Sequence, residues 1–143
     1  MAQRVVVATD GSKAAARAVD FAATVAKAWD AELIVLTIPT ELSPAELREL
    51  AQADHDLGTA TDILVRRILD GAVARANRHG VVDVRTLSMS GDPANVTLKL
   101  AQEERADLIV VGRRGLGGLA RLLLGSVSEK IVAHAHCAVT VVP

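Results

Sequence analysis

Residues 108–128 read LIVVGRRGLGGLARLLLGSVS. Leu108 to Val111 is a short, unbroken run of branched aliphatic residues, the pattern of a strand buried on both faces of a parallel sheet. It runs at once into Gly112-Arg113-Arg114-Gly115-Leu116-Gly117-Gly118, with four glycines in seven residues. From Ser126 the spacing of Val127, Ile131 and Ala135 predicts a helix. Strand, glycine-rich loop and helix in that order form an α/β unit whose loop stands at the carboxyl end of its strand, where such folds bind ligands.

The same alternation extends to both sides. Val5 to Ala8 is a β-branched run ended by the turn Thr9-Asp10-Gly11-Ser12, and Ser12 caps a helix over about 12–28 with Ala15, Val19, Ala22 and Ala26 on one face. Glu32 to Ile38 repeats the buried-strand pattern, and Pro39 ends it by removing a ladder donor. Residues 40–58 read as a surface excursion with a short helix near Pro44 to Ala51. A longer helix spans about 59–79, with Leu64, Ile68, Ala72 and Ala76 every four residues and Gly80 at the C-cap position. Val81 to Ser88 is a third strand. Asp92-Pro93 opens a helix ending near Arg105 with Ala94, Leu98 and Ala101 inward, and Ala138 to Val142 is the last strand.

Five strands alternating with helices predict one α/β domain over 1–143: a parallel sheet with helices on both faces, joined by right-handed crossovers. In the order 3-2-1-4-5, the first and fourth strands are neighbours. Thr9-Asp10-Gly11-Ser12 and the Gly112 loop then share one crevice.

Composition narrows the function. The chain has 143 residues, half of them hydrophobic, which is ample for one buried core. No apolar run approaches the roughly 18–20 residues that span a bilayer, so no membrane partner is expected. The few residues before Val5 are too short for a signal-peptide core, and Cys137 is the single cysteine, so a reducing cytoplasmic setting is expected. A formal charge of −1 gives no field for a polyanion. Phe21 and Trp29 are the only aromatic residues and supply no base-stacking platform, so nucleic acid is not expected as a partner.

Glycine is costly in entropy, so Gly112, Gly115, Gly117, Gly118 and Gly125 between a strand and a helix imply close backbone approach to a ligand. Amides without neighbouring Cβ atoms can converge as a nest, and the helix N-terminus adds partial positive charge, both of which suit phosphate. Arg113 and Arg114 place guanidinium groups in the same loop, and the Ser126 and Ser128 hydroxyls lie on the first helical turn. A Walker loop is excluded because Gly125-Ser126 is followed by Val127 rather than following the Gly-Lys-Ser/Thr pattern. Gly115 to Ala120 formally matches a dinucleotide fingerprint but lies too late in the chain for a following strand with a ribose-binding acid. His134, His136 and Cys137 lack the further ligands structural zinc needs, and read as a helix end.

The order Gly112, two residues, Gly115, nine residues, Gly125-Ser126 resembles the ATP-binding signature of the universal stress protein family. Thr9-Asp10-Gly11-Ser12, Gly91-Asp92-Pro93, the run ADLIVVG and the closing LLLGSVSEKIVAHAHCAVTVVP extend that resemblance over essentially all 143 residues. It implies a Rossmann-like, adenine nucleotide alpha hydrolase-like fold that binds ATP with Mg²⁺. It further implies that Gly112, Gly115, Gly125 and Ser126 hold the phosphates, assisted by Val127 and Ser128 through amides or hydroxyl. Asp10 is implied at the ribose or the Mg²⁺, with Ala8, Thr9, Ile38 and Val111 bordering base and sugar. It also implies a homodimer through the last strand, which agrees with Val139 to Val142 reading as a hydrophobic sheet edge. The expected function is an ATP-binding regulatory module in stress response with at most slow hydrolysis. The alternatives are an ATP-using adenylating or nucleotidyl-transferring enzyme, and a ligand-free dimeric interaction module.

Overall fold

The computed structural model describes residues 2–39, 45, 48, 57–113 and 125–143. Among these, strands β1 (Arg4–Ala8), β2 (Glu32–Thr37), β3 (Val84–Ser88), β4 (Leu108–Gly112) and β5 (Ala138–Val142) alternate with helices α1 (Lys13–Trp29), α2 (Leu57–Arg78), α3 (Pro93–Glu103) and α4 (Ser126–His134). Of the short helix expected near Pro44 to Ala51, only Ala45 and Arg48 are described, and both are helical. The sheet order is β3-β2-β1-β4-β5 and every neighbouring pair is parallel, as the sequence predicts.

Strand alternation divides the core between two faces. Val5 and Val7 of β1, Leu33 and Val35 of β2 and Val110 of β4 are fully buried against α1 and α2, whose Ala18, Ala22, Ala72 and Ala76 let the helices lie close. Val6, Ile34 and Ile109 face the other way, toward α3 and α4. The α1 residues expected inward, Ala15, Val19, Ala22 and Ala26, are all buried. On α4 the apolar spacing misleads: Val127 is exposed, whereas Ile131 and the polar Ser128 are buried.

Three helices end in the same way. Asp30, Gly80 and Arg105 adopt positive φ, and the next residue's amide reaches back into the helix, Ala31 to Ala26 O, Val81 to Ala76 O and Ala106 to Ala101 O. This closure satisfies the last carbonyls and drops an Ala or Val, buried at Ala31 and Val81 and half-buried at Ala106, at the entrance to the following strand. It also explains why β3 begins at Val84 rather than Val81. The Val81 side chain is buried like a strand residue, but its amide belongs to the end of α2.

Asp20 of α1 receives two bonds from the Arg75 guanidinium of α2, at 2.7 and 3.0 Å, and lies 3.2 Å from His79 Nε2. The Arg75 bond, followed by His79, holds the Asp20 carboxyl below the usual carboxylate range despite opposing desolvation. A depressed folded-state pKa stabilises the fold above the ordinary value near pH 4, and this contribution is lost as pH falls through the folded value. Asp20→Asn is therefore expected to cost about 0.5–1 kcal/mol at pH 7 and less at pH 2.5, measured by urea unfolding at each pH. An equal cost at both values would show that the pair contributes nothing through charge.

Candidate functional site

Because β1 and β4 pair directly, the turn after β1 and the loop after β4 leave the sheet side by side. Between them, the start of α4 and the inner face of α2 lies a cavity of about 1130 Å³. That is somewhat larger than the roughly 300–1,000 Å³ of most small-molecule sites.

On the β1 side the turn is self-braced. The Thr9 amide donates to Leu36 O at 2.9 Å, and its hydroxyl accepts from the Gly11 amide at 3.2 Å. Asp10 Oδ1 accepts from the Ser12 amide at 2.8 Å, an Asx turn that holds the carboxylate at the rim, where it is exposed. Ser12 Oγ in turn caps α1 by accepting from the Ala15 amide at 3.1 Å.

On the β4 side the two ends of the glycine loop are clasped together. Arg113 donates its amide to Val142 O at 2.7 Å, and its carbonyl accepts from the Gly125 amide at 2.8 Å. Ser128, buried in the first turn of α4, donates its hydroxyl to Gly112 O at 2.7 Å. A Cβ on Gly112 would meet the backbone of Ala14 at 3.4 Å, an ordinary van der Waals contact, so the end of β4 lies against the first turn of α1.

The start of α4 differs from the other helix starts that carry caps. Ser12 caps α1 and Asp92 caps α3 with a bond from the Asn95 amide at 2.9 Å, but the N-cap of α4 is Gly125, and among the described residues no side chain caps its first-turn amides. Those orphan donors and the positive end of the helix dipole open onto the cavity, since Gly125, Ser126, Val127 and Ser128 all line it. An anion is the group that such an end accepts. Among the described wall residues, Arg67, Arg75 and Arg78 are the basic side chains and Asp10 the one carboxylate, and the Arg75 charge is already paired with Asp20 of α1.

The opposite part of the wall is apolar. Ile38, Pro39, Leu64, Val65 and Ile68 give it an aliphatic lining, with Leu36 buried behind them. Thr9, Thr37, Thr97 and Ser128 are the buried polar residues of the described structure, and every one of them lines the cavity. Core polarity concentrated at one cavity fits a site holding a ligand with both polar and apolar parts.

Of the residues predicted from sequence, Ala8, Thr9, Asp10, Ile38, Val111, Gly112, Gly125, Ser126, Val127 and Ser128 all form the wall. Gly115 lies outside the described residues. Arg113 is exposed and not part of the wall; its backbone closes the loop instead. The Ser128 hydroxyl braces Gly112, so the group it turns toward a ligand is its amide. Sequence reasoning missed the α2 side of the cavity. Leu64, Ile68, Ala72 and Ala76 read there as one core stripe, yet Leu64 and Ile68 are only half-buried and face the cavity, while Ala72 and Ala76 are buried. The change from large to small residues along that stripe was the available sign.

Among the described residues no group of three His, Cys, Asp or Glu side chains is placed to hold a metal ion, and no helix is long and apolar enough to cross a membrane. One carboxylate at the rim suits Mg²⁺ held chiefly by phosphate oxygens rather than by a protein cage.

The model of the universal stress protein family matches residues 1–143. The chain is 34% identical over 148 residues to the universal stress protein YxiE of Bacillus subtilis, covering 99% of each. It is 38% identical over 141 residues to Rv1636 of Mycobacterium tuberculosis, covering 96% of this chain and 94% of that one. It also resembles a universal stress protein crystallised in complex with cAMP, at 35% identity and TM-score 0.71, covering 99% and 96% of the two chains. With the whole length matched and the glycine loop in its place after β4, this chain belongs to the universal stress protein family.

Proposed function

We propose that the cavity binds an adenine nucleotide, ATP by preference and with Mg²⁺, and that occupancy switches a cytoplasmic regulatory module acting in stress response. The observation that carries this reading is the uncapped start of α4, whose amides line a cavity that is aliphatic on its other side. The phosphates lie against Gly112, Gly125, Ser126 and the amides of Val127 and Ser128, with Gly115 in the same loop. The base and sugar lie against Ala8, Thr9, Ile38 and Val111. Asp10 meets the ribose or the bound Mg²⁺, its Oδ2 remaining available beside the Asx-turn oxygen. A relative 35% identical binds cAMP, so adenosine carrying phosphate is the chemistry shared with this site. Asp10 is the one carboxylate, and no histidine or cysteine stands among the described wall residues, which supports a binding role with at most slow hydrolysis. Two copies associate through the β5 edge.

Isothermal titration with ATP and with cAMP, each at millimolar Mg²⁺, tests the assignment. Binding of ATP tighter than about 1 mM is expected. No heat and no shift in melting temperature at that concentration would remove the nucleotide reading, and cAMP binding tenfold tighter than ATP would move it to cyclic nucleotides.

A further inference from the structure

Of the buried polar side chains that line the cavity, all but one are already paired. Thr9 accepts from the Gly11 amide at 3.2 Å, Thr97 donates to Pro93 O at 2.7 Å, and Ser128 donates to Gly112 O at 2.7 Å. The exception is Thr37, the last residue of β2 and only 2% exposed. Among the described residues no hydrogen bond reaches its hydroxyl. A buried hydroxyl without a partner costs free energy, so such groups are rare in folded proteins and call for a partner from elsewhere.

The place of Thr37 says where that partner comes from. Side chains alternate along a strand, so Thr37 shares the face of Val35, which packs beneath α1 and α2. Beyond Val35 that face opens into the cavity, whose wall includes Thr37 and, from α2, the half-buried Leu64 and Ile68. The hydroxyl is not sealed inside protein. Among the described residues the one enclosed side-chain polar atom without a partner is Arg85 Nε, near the start of β3 and so toward the opposite end of the sheet. The Thr37 hydroxyl therefore opens onto the cavity.

At this end of β2 the neighbouring acceptors are used. Leu36 O accepts from the Thr9 amide at 2.9 Å, and Thr37 O accepts from the Met89 amide at 3.1 Å. Of these groups the Thr37 hydroxyl is the one left, and it lies at the aliphatic part of the wall. Asp10, in contrast, is exposed at the rim, where sugar hydroxyls or a hydrated cation can reach it. A base that enters the aliphatic part leaves water, and its exocyclic amino group then needs an acceptor. We infer that Thr37 Oγ1 accepts a hydrogen bond from the adenine amino group and thereby sets the preference of the cavity for that base. This rests on the nucleotide reading given above.

Titration calorimetry tests it with ATP, 2′-deoxy-ATP and purine riboside triphosphate, which lacks the amino group, on the wild type, Thr37→Val and Thr37→Ser. Thermal melting of each unliganded protein is the control. Valine keeps the branched shape that strands favour and removes only the hydroxyl. The wild type is expected to bind ATP about 3- to 10-fold tighter than purine riboside triphosphate. Thr37→Val is expected to lose that factor for ATP and for 2′-deoxy-ATP, to bind purine riboside triphosphate as the wild type does, and to melt no lower than the wild type. Thr37→Ser retains a hydroxyl and should retain the preference for the amino group. Thr37→Val binding ATP like the wild type, or losing ATP and purine riboside triphosphate equally, overturns the contact and leaves the nucleotide reading intact. A loss confined to ATP and absent for 2′-deoxy-ATP places the hydroxyl at the ribose and overturns it too. A melting temperature lowered by more than about 4 °C shows that the hydroxyl serves the fold instead. If the wild type binds none of the three, the nucleotide reading fails and the role of Thr37 falls with it.

Discussion

Ser126→Pro is expected to weaken ATP binding by about 10- to 100-fold while leaving the unfolding midpoint close to that of the wild type. Ser126 is the first residue of α4, the position where a proline is best tolerated because the ring presets the helical φ and the missing N–H had no helical acceptor. Proline also restricts the residue before it to extended backbone, and Gly125 already has φ −71° and ψ 162°. The substitution therefore removes one amide aimed at the cavity and little else from the fold. A hydrogen bond to a charged group contributes about 1.5–3 kcal/mol, which is tenfold to somewhat over a hundredfold in affinity. Ser126→Ala keeps the amide and loses only the hydroxyl, so its loss of affinity should be smaller. Titration calorimetry and thermal melting of the two variants separate these cases. If Ser126→Pro binds ATP as the wild type does, phosphate does not lie at the start of α4.

The residues did not prove the strand order: two polar, small-residue turns stand at the ends of β1 and β4, and they share a crevice if those strands are neighbours, as the inferred order makes them. The structure pairs Val7 with Val110 and meets that condition. What could not be read came from groups whose partners are distant in sequence. Ser128 looks like a solvent-facing first-turn residue, yet its hydroxyl finds Gly112 O and it packs as a core residue; a count of apolar spacing assigns that place to Val127 instead. Asp20 and Arg75 meet across 55 positions, and the Glu104–Arg85 pair joins α3 to β3, with nothing local to announce either. The α2 wall was hidden for a different reason. A cavity-facing leucine or isoleucine and a core-facing one satisfy the same helical period, so only the sheet beneath them distinguishes the two.

Gly11→Val is expected to destabilise the fold by about 2–4 kcal/mol and to reduce nucleotide affinity at the same time. Gly11 has φ +83°, where a β-branched residue is strained by about 1–2 kcal/mol. The second contribution is steric. A Cβ at Gly11 would stand 3.0 Å from Ile68 Cγ1, so even one methyl pushes against α2, and the two γ-methyls of valine push further. Relief comes from a shift of the Ile68 side chain, the turn or the helix, and all three form the cavity wall: the turn holds Thr9 and Asp10, and the helix holds Leu64 and Ile68. Two companion variants separate the causes. Gly11→Asn tolerates positive φ better than other residues, so it should lose most of the strain and keep the steric part. Combining Gly11→Ala with Ile68→Ala should recover the steric part alone, giving a coupling of about 1 kcal/mol in a double-mutant cycle read by urea unfolding. If Gly11→Ala and Ile68→Ala were simply additive, the turn and α2 would not be in contact, and the cavity would lose the wall that α2 provides.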